Sequence, residues 1–190
     1  MKHIVILASG NGSNAENIIR YFQENNLDAK VEAVLCNRKE AGVYERAAKL
    51  AVDTIYIKKS EFNDPDTLLP ILRKKNADLI VLAGFLLMVP DFLLREYPDR
   101  IINIHPSLLP KYGGKGMFGH HIHEAVVAAG ESETGITIHK VSEICDGGEI
   151  IFQVAVPVAS DDTPETVESK IHILERTHFP AVIARLLSTL

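Results

Sequence analysis

The sequence has 190 residues, 46% of them hydrophobic, and a formal net charge of -5 at pH 7. A chain of this length and composition can bury a full core, so we expect a single domain over residues 1–190. The negative charge excludes a broad basic surface for nucleic acid or an anionic membrane. Any phosphate must therefore be bound locally by a loop, and we expect small molecules as partners, with no nucleic acid and no membrane.

The cysteines and the apolar runs narrow the class of protein further. Only Cys36 and Cys145 are present, which fits reduced thiols in a cytoplasmic enzyme and excludes a cysteine-ligated metal site. The longest apolar stretch, residues 79–89, ends at Pro90 and is shorter than the roughly 20 residues that a membrane span needs. With no recognisable signal peptide, we expect a cytoplasmic location.

The first predicted elements are a strand over residues 3–8, a loop, and a helix. The loop reads Ser-Gly-Asn-Gly-Ser-Asn over residues 9–14. Its glycines let backbone N–H groups approach a ligand, and Ser13 or Asn14 can cap the helix, whose amino end favours an anion. This layout predicts a phosphate site, the alternative being a plain turn with a capped helix.

The same loop also fits a dinucleotide fingerprint, Gly10-x-Gly12-x-x-Ala15. That fingerprint expects an acidic residue about 20 positions on, which would hold a ribose. The second predicted strand, residues 31–36, is followed instead by an asparagine and an arginine. We therefore favour a phosphomonoester over NAD.

Strands and helices alternate along the first half of the chain. Helices are predicted over residues 40–50 and 65–75, and strands over 54–57 and 78–83. Parallel strands need crossover helices, so we expect an α/β fold with a Rossmann-like, doubly wound, mostly parallel sheet. Residues 84–89 form an apolar loop after the fourth strand, which is either core or a slot for a flat ring.

The most informative strand carries two polar side chains near the middle of the chain. Asn103 and His105 alternate with isoleucines, so an extended strand sends the amide and the imidazole to one face. Pro106 ends the strand and leaves the pair at its carboxyl end, where open parallel sheets bind ligands. An amide donor beside an imidazole suits a reaction in which a carbonyl oxygen gains negative charge and a proton moves near neutral pH. A solvated strand edge is the alternative.

A glycine-rich loop over residues 111–116 and a histidine cluster follow. His120 with His123 or Glu124 could share a helix face, but no second motif supplies further metal ligands. We therefore expect no metal, and favour solvated histidines or histidines that support a site.

The last elements are two strands, over residues 134–141 and 150–158, and a helix. Between the strands, Asp146 followed by two glycines is either a turn or a way to present a carboxylate to a site. The helix is predicted to begin after a Thr163 cap and to run to about His178, where Pro180 breaks or kinks it.

Taken together, these stretches resemble the phosphoribosylglycinamide formyltransferases, folate-dependent enzymes of purine synthesis, nearly end to end. Residues 103–112, Asn-Ile-His-Pro-Ser-Leu-Leu-Pro-Lys-Tyr, are specific to folate-dependent formyltransferases. The phosphate loop and the compact length narrow the resemblance to the purine enzymes. The other stretches that carry it are Leu82-Ala83-Gly84-Phe85, Gly135-x-Thr137-x-His139, Asp146-Gly147-Gly148 and Glu175 before Pro180.

The resemblance implies a set of site residues. The catalytic trio falls on Asn103, His105 and Asp146. The glycinamide ribonucleotide contacts fall on Gly12, Ser13, Asn14, His172 and Glu175. The folate contacts fall on Leu86, Leu87, Met88, Val89, Asn103, Ser142, Glu143, Ile144, Cys145 and Asp146. The phosphate-binding half of the domain would then be residues 1–100 and the catalytic and folate half residues 101–190, in a monomer or homodimer.

The resemblance also implies the reaction. The formyl group of 10-formyltetrahydrofolate, a co-substrate, would pass to the amine of 5′-phosphoribosylglycinamide through an oxyanion stabilised by Asn103 and His105. Two alternatives remain: a formyltetrahydrofolate hydrolase, in which water replaces the amine, and a non-catalytic nucleotide-binding sensor of the same fold. A sensor has no need of an amide, an imidazole and a carboxylate together, which argues against it.

Overall fold

A computed structural model describes residues 1–190 and contains seven strands and seven helices. In chain order the elements are β1 (Lys2–Ala8), α1 (Ser13–Glu24), β2 (Ala29–Cys36), α2 (Val43–Lys49), β3 (Asp53–Tyr56), α3 (Lys59–Phe62), α4 (Pro65–Lys74), β4 (Leu79–Leu82), α5 (Asp91–Glu96), β5 (Ile101–His105), α6 (His120–Ala128), β6 (Glu133–Lys140), β7 (Ile150–Pro157) and α7 (Pro164–Leu187). None of the helices is both long and apolar enough to cross a membrane.

The strands form one sheet in the order β3-β2-β1-β4-β5-β6-β7. Strand β1 pairs in parallel with β2 and β4, and β2 pairs in parallel with β3. Strands β6 and β7 pair antiparallel at one edge. The predicted Rossmann-like, mostly parallel α/β fold is therefore confirmed.

The chain divides into two compact units, Met1–Ile102 with Pro180–Leu190, and Asn103–Phe179. In the first unit, residues 4–8 of β1 and the whole of β4 are unbroken apolar runs that are almost fully buried. Such runs are typical of parallel strands whose two faces are both covered. Helix α1 buries side chains at helical spacing, namely Ala15, Ile18, Ile19 and Phe22.

One buried hydroxyl connects three loops at the carboxyl ends of these strands. Ser9, which follows β1, is 1% exposed. Its hydroxyl donates to Asn37 Oδ1 at 2.6 Å and accepts from the Leu86 N–H at 3.0 Å. Because β1 lies between β2 and β4, the strand order reverses there, which is where doubly wound sheets bind ligands.

In the second unit, the antiparallel pair β6–β7 holds the turn that follows β5. The Thr137 hydroxyl donates to the Ser107 carbonyl at 2.7 Å and accepts from the Leu109 N–H at 3.0 Å. Gly135 is required on the same strand, because a Cβ there would lie 2.0 Å from the carbonyl oxygen of Val154. Both features fix the backbone immediately beyond His105.

Two predictions about helix ends are wrong. Helix α7 continues through Pro180 to Leu187, whereas its end was expected near His178. The apolar side chains beyond the proline, Val182, Ile183 and Leu187, are buried, and this burial stabilises the helix despite the lost N–H. Helix α1 is capped by Gly12 in a left-handed conformation, with no side-chain cap from Ser13 or Asn14.

Other boundaries differ from the prediction by a few residues. Helix α2 begins at Val43, later than the predicted start at residue 40, and two short helices, α3 and α5, lie outside the predicted elements. Short helices carry little periodic signal, and helix ends are the least regular part of a pattern.

The packing of Phe62 generates a stability prediction. Its ring is 0% exposed and packs edge-on against Phe85, with centroids 4.9 Å apart. We expect Phe62→Ala to lower the free energy of unfolding by about 3–5 kcal/mol, since it leaves a cavity and removes an aromatic contact. Urea denaturation would measure this. Phe118→Ala, at a side chain that is 49% exposed, is the control; equal losses in the two variants would contradict the packing argument.

Candidate active site

The carboxylate of Asp146 lies at the centre of a polar cluster in the second unit. Asp146 follows β6 in a turn, has a left-handed φ of 54°, and its side chain is 12% exposed. Oδ2 accepts from the Gly114 N–H at 2.9 Å and lies 3.5 Å from His105 Nδ1, while Oδ1 lies 3.6 Å from His139 Nε2. One carboxylate therefore contacts two imidazoles and a loop amide.

His105 ends strand β5 and is 4% exposed. Its Nε2 lies 2.7 Å from the carbonyl oxygen of Tyr112. Because a carbonyl oxygen can only accept, Nε2 carries a proton. The second ring nitrogen, Nδ1, faces Asp146. A doubly protonated ring would thus have an acceptor at each nitrogen.

Opposing effects set the protonation of this pair. Burial lowers the pKa of His105, and it outweighs the charge of Asp146 and the Tyr112 carbonyl, which both raise that pKa. Burial would raise the pKa of Asp146, but the neighbouring His139, the Gly114 N–H that donates to Oδ2, and the charge of His105 lower it overall. Asp146 is therefore an anion at neutral pH, and it favours the charged form of His105.

Asn103 is oriented by His139. The Nδ1 of His139 lies 2.8 Å from the Lys140 carbonyl oxygen, so this nitrogen carries a proton. Nε2 can then accept from the amide nitrogen of Asn103, which lies 3.1 Å away. The second N–H of that amide has no protein partner in the structure, so it can donate to a ligand.

The turn that presents Asp146 depends on glycine. A Cβ at Gly148 would lie 1.8 Å from the Lys140 carbonyl oxygen, and one at Gly147 would lie 2.5 Å from the side chain of Ile144. Ile144 is 71% exposed. The other predicted folate residues of this segment are Ser142, Glu143 and Cys145, of which Glu143 is exposed and the other two half-buried.

The predicted phosphate loop lies in the first unit. Gly12 has φ 81°, and a Cβ there would lie 2.5 Å from Val43. Ser13 and Asn14 open helix α1, whose first N–H groups have no partners within the helix. The carboxylate of Glu16 in the first turn is paired with Arg20 and Arg46, whose hydrogen bonds lower its pKa, so its charge is compensated. The loop therefore offers backbone donors to an anion.

The predicted ring-binding loop of residues 86–89 is also in the first unit. Leu86 and Met88 are 43% and 58% exposed, Val89 is 9% exposed, and Leu87 is half-buried. The Leu86 N–H is fixed by Ser9. Two apolar side chains therefore face solvent on a segment whose backbone is anchored, as expected for a surface that contacts a ligand.

The predicted substrate residues of α7 lie one turn apart on one face. Glu175 is 8% exposed, and His172 Nε2 lies 4.0 Å from Glu168 Oε1. His120 Nδ1 lies 3.0 Å from the other oxygen of Glu168. These histidines have carboxylate neighbours, and no group of three or more His, Cys, Asp or Glu side chains in the chain could hold a metal ion.

Three members of the cluster were not predicted as site residues, namely His139, the Tyr112 carbonyl and the Gly114 N–H. His139 had a signal, because it alternates with apolar residues along β6 and is part of the family pattern. The two backbone groups had none, since every residue other than proline carries the same N–H and C=O.

Comparisons with known proteins indicate the family of this chain. A family model described as formyl transferase matches residues 2–183. The chain is 38% identical over 191 residues to phosphoribosylglycinamide formyltransferase of Bacillus subtilis, covering 98% of this chain and 95% of the relative. It is 34% identical over 186 residues to the Escherichia coli enzyme of the same name, covering 96% and 85%. A crystal structure of phosphoribosylglycinamide formyltransferase from Bacillus halodurans superposes with a TM-score of 0.88 at 36% identity, covering 98% and 96%.

The contact between Asp146 and His105 generates a prediction about titration. The charge of Asp146 raises the pKa of His105, so we expect Asp146→Asn to lower it further. NMR titration of the His105 ring protons would measure the shift. The control is Asp161→Asn, at an exposed carboxylate with no hydrogen bond or ion pair to His105. An unchanged His105 pKa in Asp146→Asn would rule out the electrostatic coupling.

Proposed function

The chain belongs to the formyl transferase family, and we propose that it transfers the formyl group of 10-formyltetrahydrofolate to the amine of 5′-phosphoribosylglycinamide in purine biosynthesis. The observation that carries the proposal is the cluster formed by Asn103, His105, His139 and Asp146. It combines an unused amide donor, an imidazole and a carboxylate, which acyl transfer to an amine requires.

In the proposed mechanism the substrate amine attacks the formyl carbon directly. The resulting tetrahedral intermediate carries a negative oxygen, and the second N–H of Asn103 donates to it. Protonated His105 adds a positive charge, which Asp146 favours. The attacking nitrogen loses one proton and the leaving folate nitrogen gains one, and His105 carries this proton directly or through a water.

Neither nearby nucleophilic side chain suits a covalent mechanism. Burial raises the pKa of Cys145, with a further contribution from Asp146, so its thiolate is disfavoured. Ser107 is 0% exposed and its hydroxyl donates to the Lys111 carbonyl at 2.7 Å. Direct transfer between the two substrates is therefore the mechanism we propose.

The binding residues keep the assignments that the resemblance implies. We propose that the substrate phosphate binds the N–H groups of Gly12, Ser13 and Asn14, which open helix α1. The exposed apolar side chains of residues 86–89 and the backbone of residues 142–146 would contact the pterin, and His172 and Glu175 would contact the ribonucleotide. The two free cysteines fit a cytoplasmic location, and the oligomeric state, monomer or homodimer, stays a prediction.

The reaction itself can be tested with the purified protein and 10-formyltetrahydrofolate. We expect tetrahydrofolate to appear only when glycinamide ribonucleotide is added, because the amine is the acceptor. Absorbance or mass spectrometry would follow the product. Tetrahydrofolate in the absence of the ribonucleotide would identify a hydrolase, and binding without turnover would identify a sensor; either result would overturn the proposal.

The role of Asn103 generates a kinetic prediction. Removing one oxyanion donor typically raises the barrier by about 2.7–4 kcal/mol, so we expect Asn103→Ala to lower kcat by roughly a hundredfold or more. The KM values should change less, since the donor acts mainly on the transition state. Steady-state kinetics would measure both.

The control for this variant is Asn63→Ala, at an exposed asparagine that donates to the Lys59 carbonyl at the end of a short helix. We expect it to keep the turnover of the unmodified protein. Near-normal turnover in both Asn103→Ala and Asp146→Asn would remove the roles assigned to these two side chains.

A further inference from the structure

The loop that touches both His105 and Asp146 has little intrinsic rigidity. Between β5 and α6 it contains Gly113, Gly114, Gly116 and Gly119, and the last three have positive φ. Tyr112, next to them, is also left-handed with φ 54°, a conformation that a bulky L-residue rarely adopts. Some contact must therefore hold Tyr112 in place.

This loop supplies the two backbone groups of the cluster. The Tyr112 carbonyl accepts from His105 Nε2 at 2.7 Å, and two residues later the Gly114 N–H donates to Asp146 Oδ2 at 2.9 Å. A change in the backbone at Tyr112 would move both groups together. The tautomer and orientation of His105 thus depend on where this carbonyl is held.

Glu131 holds the side chain of Tyr112 and that of the preceding residue, Lys111. Its Oε1 accepts from the Tyr112 hydroxyl at 2.9 Å, and the Lys111 ammonium lies 3.0 Å from both carboxylate oxygens. Glu131 is itself anchored, because its N–H donates to the Val126 carbonyl at 3.3 Å and β6 begins two residues later. Its side chain is 22% exposed.

We propose that Glu131 is a positioning residue for His105. Through Tyr112 and Lys111 it fixes the Tyr112 carbonyl on Nε2, so that Nδ1 faces Asp146 and the charged ring has two acceptors. Glu131 has no described contact with His105 or Asp146, and it is not among the residues assigned to substrate binding. The test of this role of Glu131 depends on the proposed reaction only when enzyme activity is what is measured.

The two links differ in strength. The Lys111 side chain is 65% exposed, so its ion pair with Glu131 is screened by water and contributes little. The Tyr112 hydroxyl is part of a half-buried pair, and Glu131 in turn raises the pKa of that phenol, after the larger effect of burial. We therefore expect Tyr112→Phe to resemble Glu131→Ala, and Lys111→Met to have the smaller effect.

The experiment compares Glu131→Ala, Glu131→Gln and Tyr112→Phe with a matched control, Glu133→Ala. Glu133 is the same residue type two positions along, is exposed, and has no described side-chain partner. We expect Glu131→Ala and Tyr112→Phe to lower kcat by roughly three- to tenfold with KM unchanged, the size of effect that one lost hydrogen bond produces. Because an amide oxygen can accept from the Tyr112 hydroxyl, Glu131→Gln should recover most of the loss.

A second readout does not depend on turnover. The Tyr112 carbonyl raises the pKa of His105, so its displacement should lower that pKa in Glu131→Ala and Tyr112→Phe, as measured by NMR titration. The high-pH limb of kcat should move to lower pH with it, since the charged ring is lost earlier as pH rises. Unchanged His105 titration and kcat in both variants, with only a lower Tm, would reduce Glu131 to a structural role and overturn the proposal. If the unmodified protein proves inactive, the NMR titration of His105 by itself still tests whether Glu131 positions this residue.

Discussion

The carboxylate of Asp146 is 12% exposed and lies between two imidazoles and a backbone N–H, and this arrangement constrains the rest of the candidate site. A buried carboxylate is costly unless its oxygens are paired. The two glycines after it, the loop that supplies Gly114, and the strands that carry the histidines must all be in place for that pairing. The protonation of His105 then depends on Asp146, because burial alone favours the neutral ring.

A regular sheet delivers these groups from distant parts of the sequence. Asn103 and His105 lie in the last three residues of β5, and His139 lies near the end of β6, the next strand in the sheet. Strands project every second side chain to the same face, so two strand ends present three polar groups on one side. The loops supply the remaining groups of the cluster. These are the carboxylate of Asp146, in a left-handed turn, the Tyr112 carbonyl and the Gly114 N–H.

Much of this arrangement could be predicted from the sequence, for identifiable reasons. The β-branched runs and short connections predicted the parallel sheet, and alternation around Asn103 predicted a polar face at a strand end. The pairing of Asn103 with His139 could not be predicted, because a local hydrophobic pattern indicates a strand but not which strands are neighbours in the sheet. The contacts of the Tyr112 carbonyl and the Gly114 N–H could not either, since backbone groups carry no residue-specific signal. Helix α7 passed its proline because burial beyond it outweighed a local rule.

The Ser9 hydroxyl has a consequence for redesign of this candidate ligand-binding edge of the sheet. One oxygen both donates to Asn37 and accepts from Leu86, so it fixes the spacing between the loops after three strands. An apolar side chain at this position would leave the Leu86 N–H and the Asn37 amide oxygen without their hydrogen-bond partner. A bulkier side chain would not fit, because Ser9 is only 1% exposed. Engineering the glycine loop or the apolar loop for a different ligand would therefore have to keep serine at position 9, even though no substrate need ever touch it.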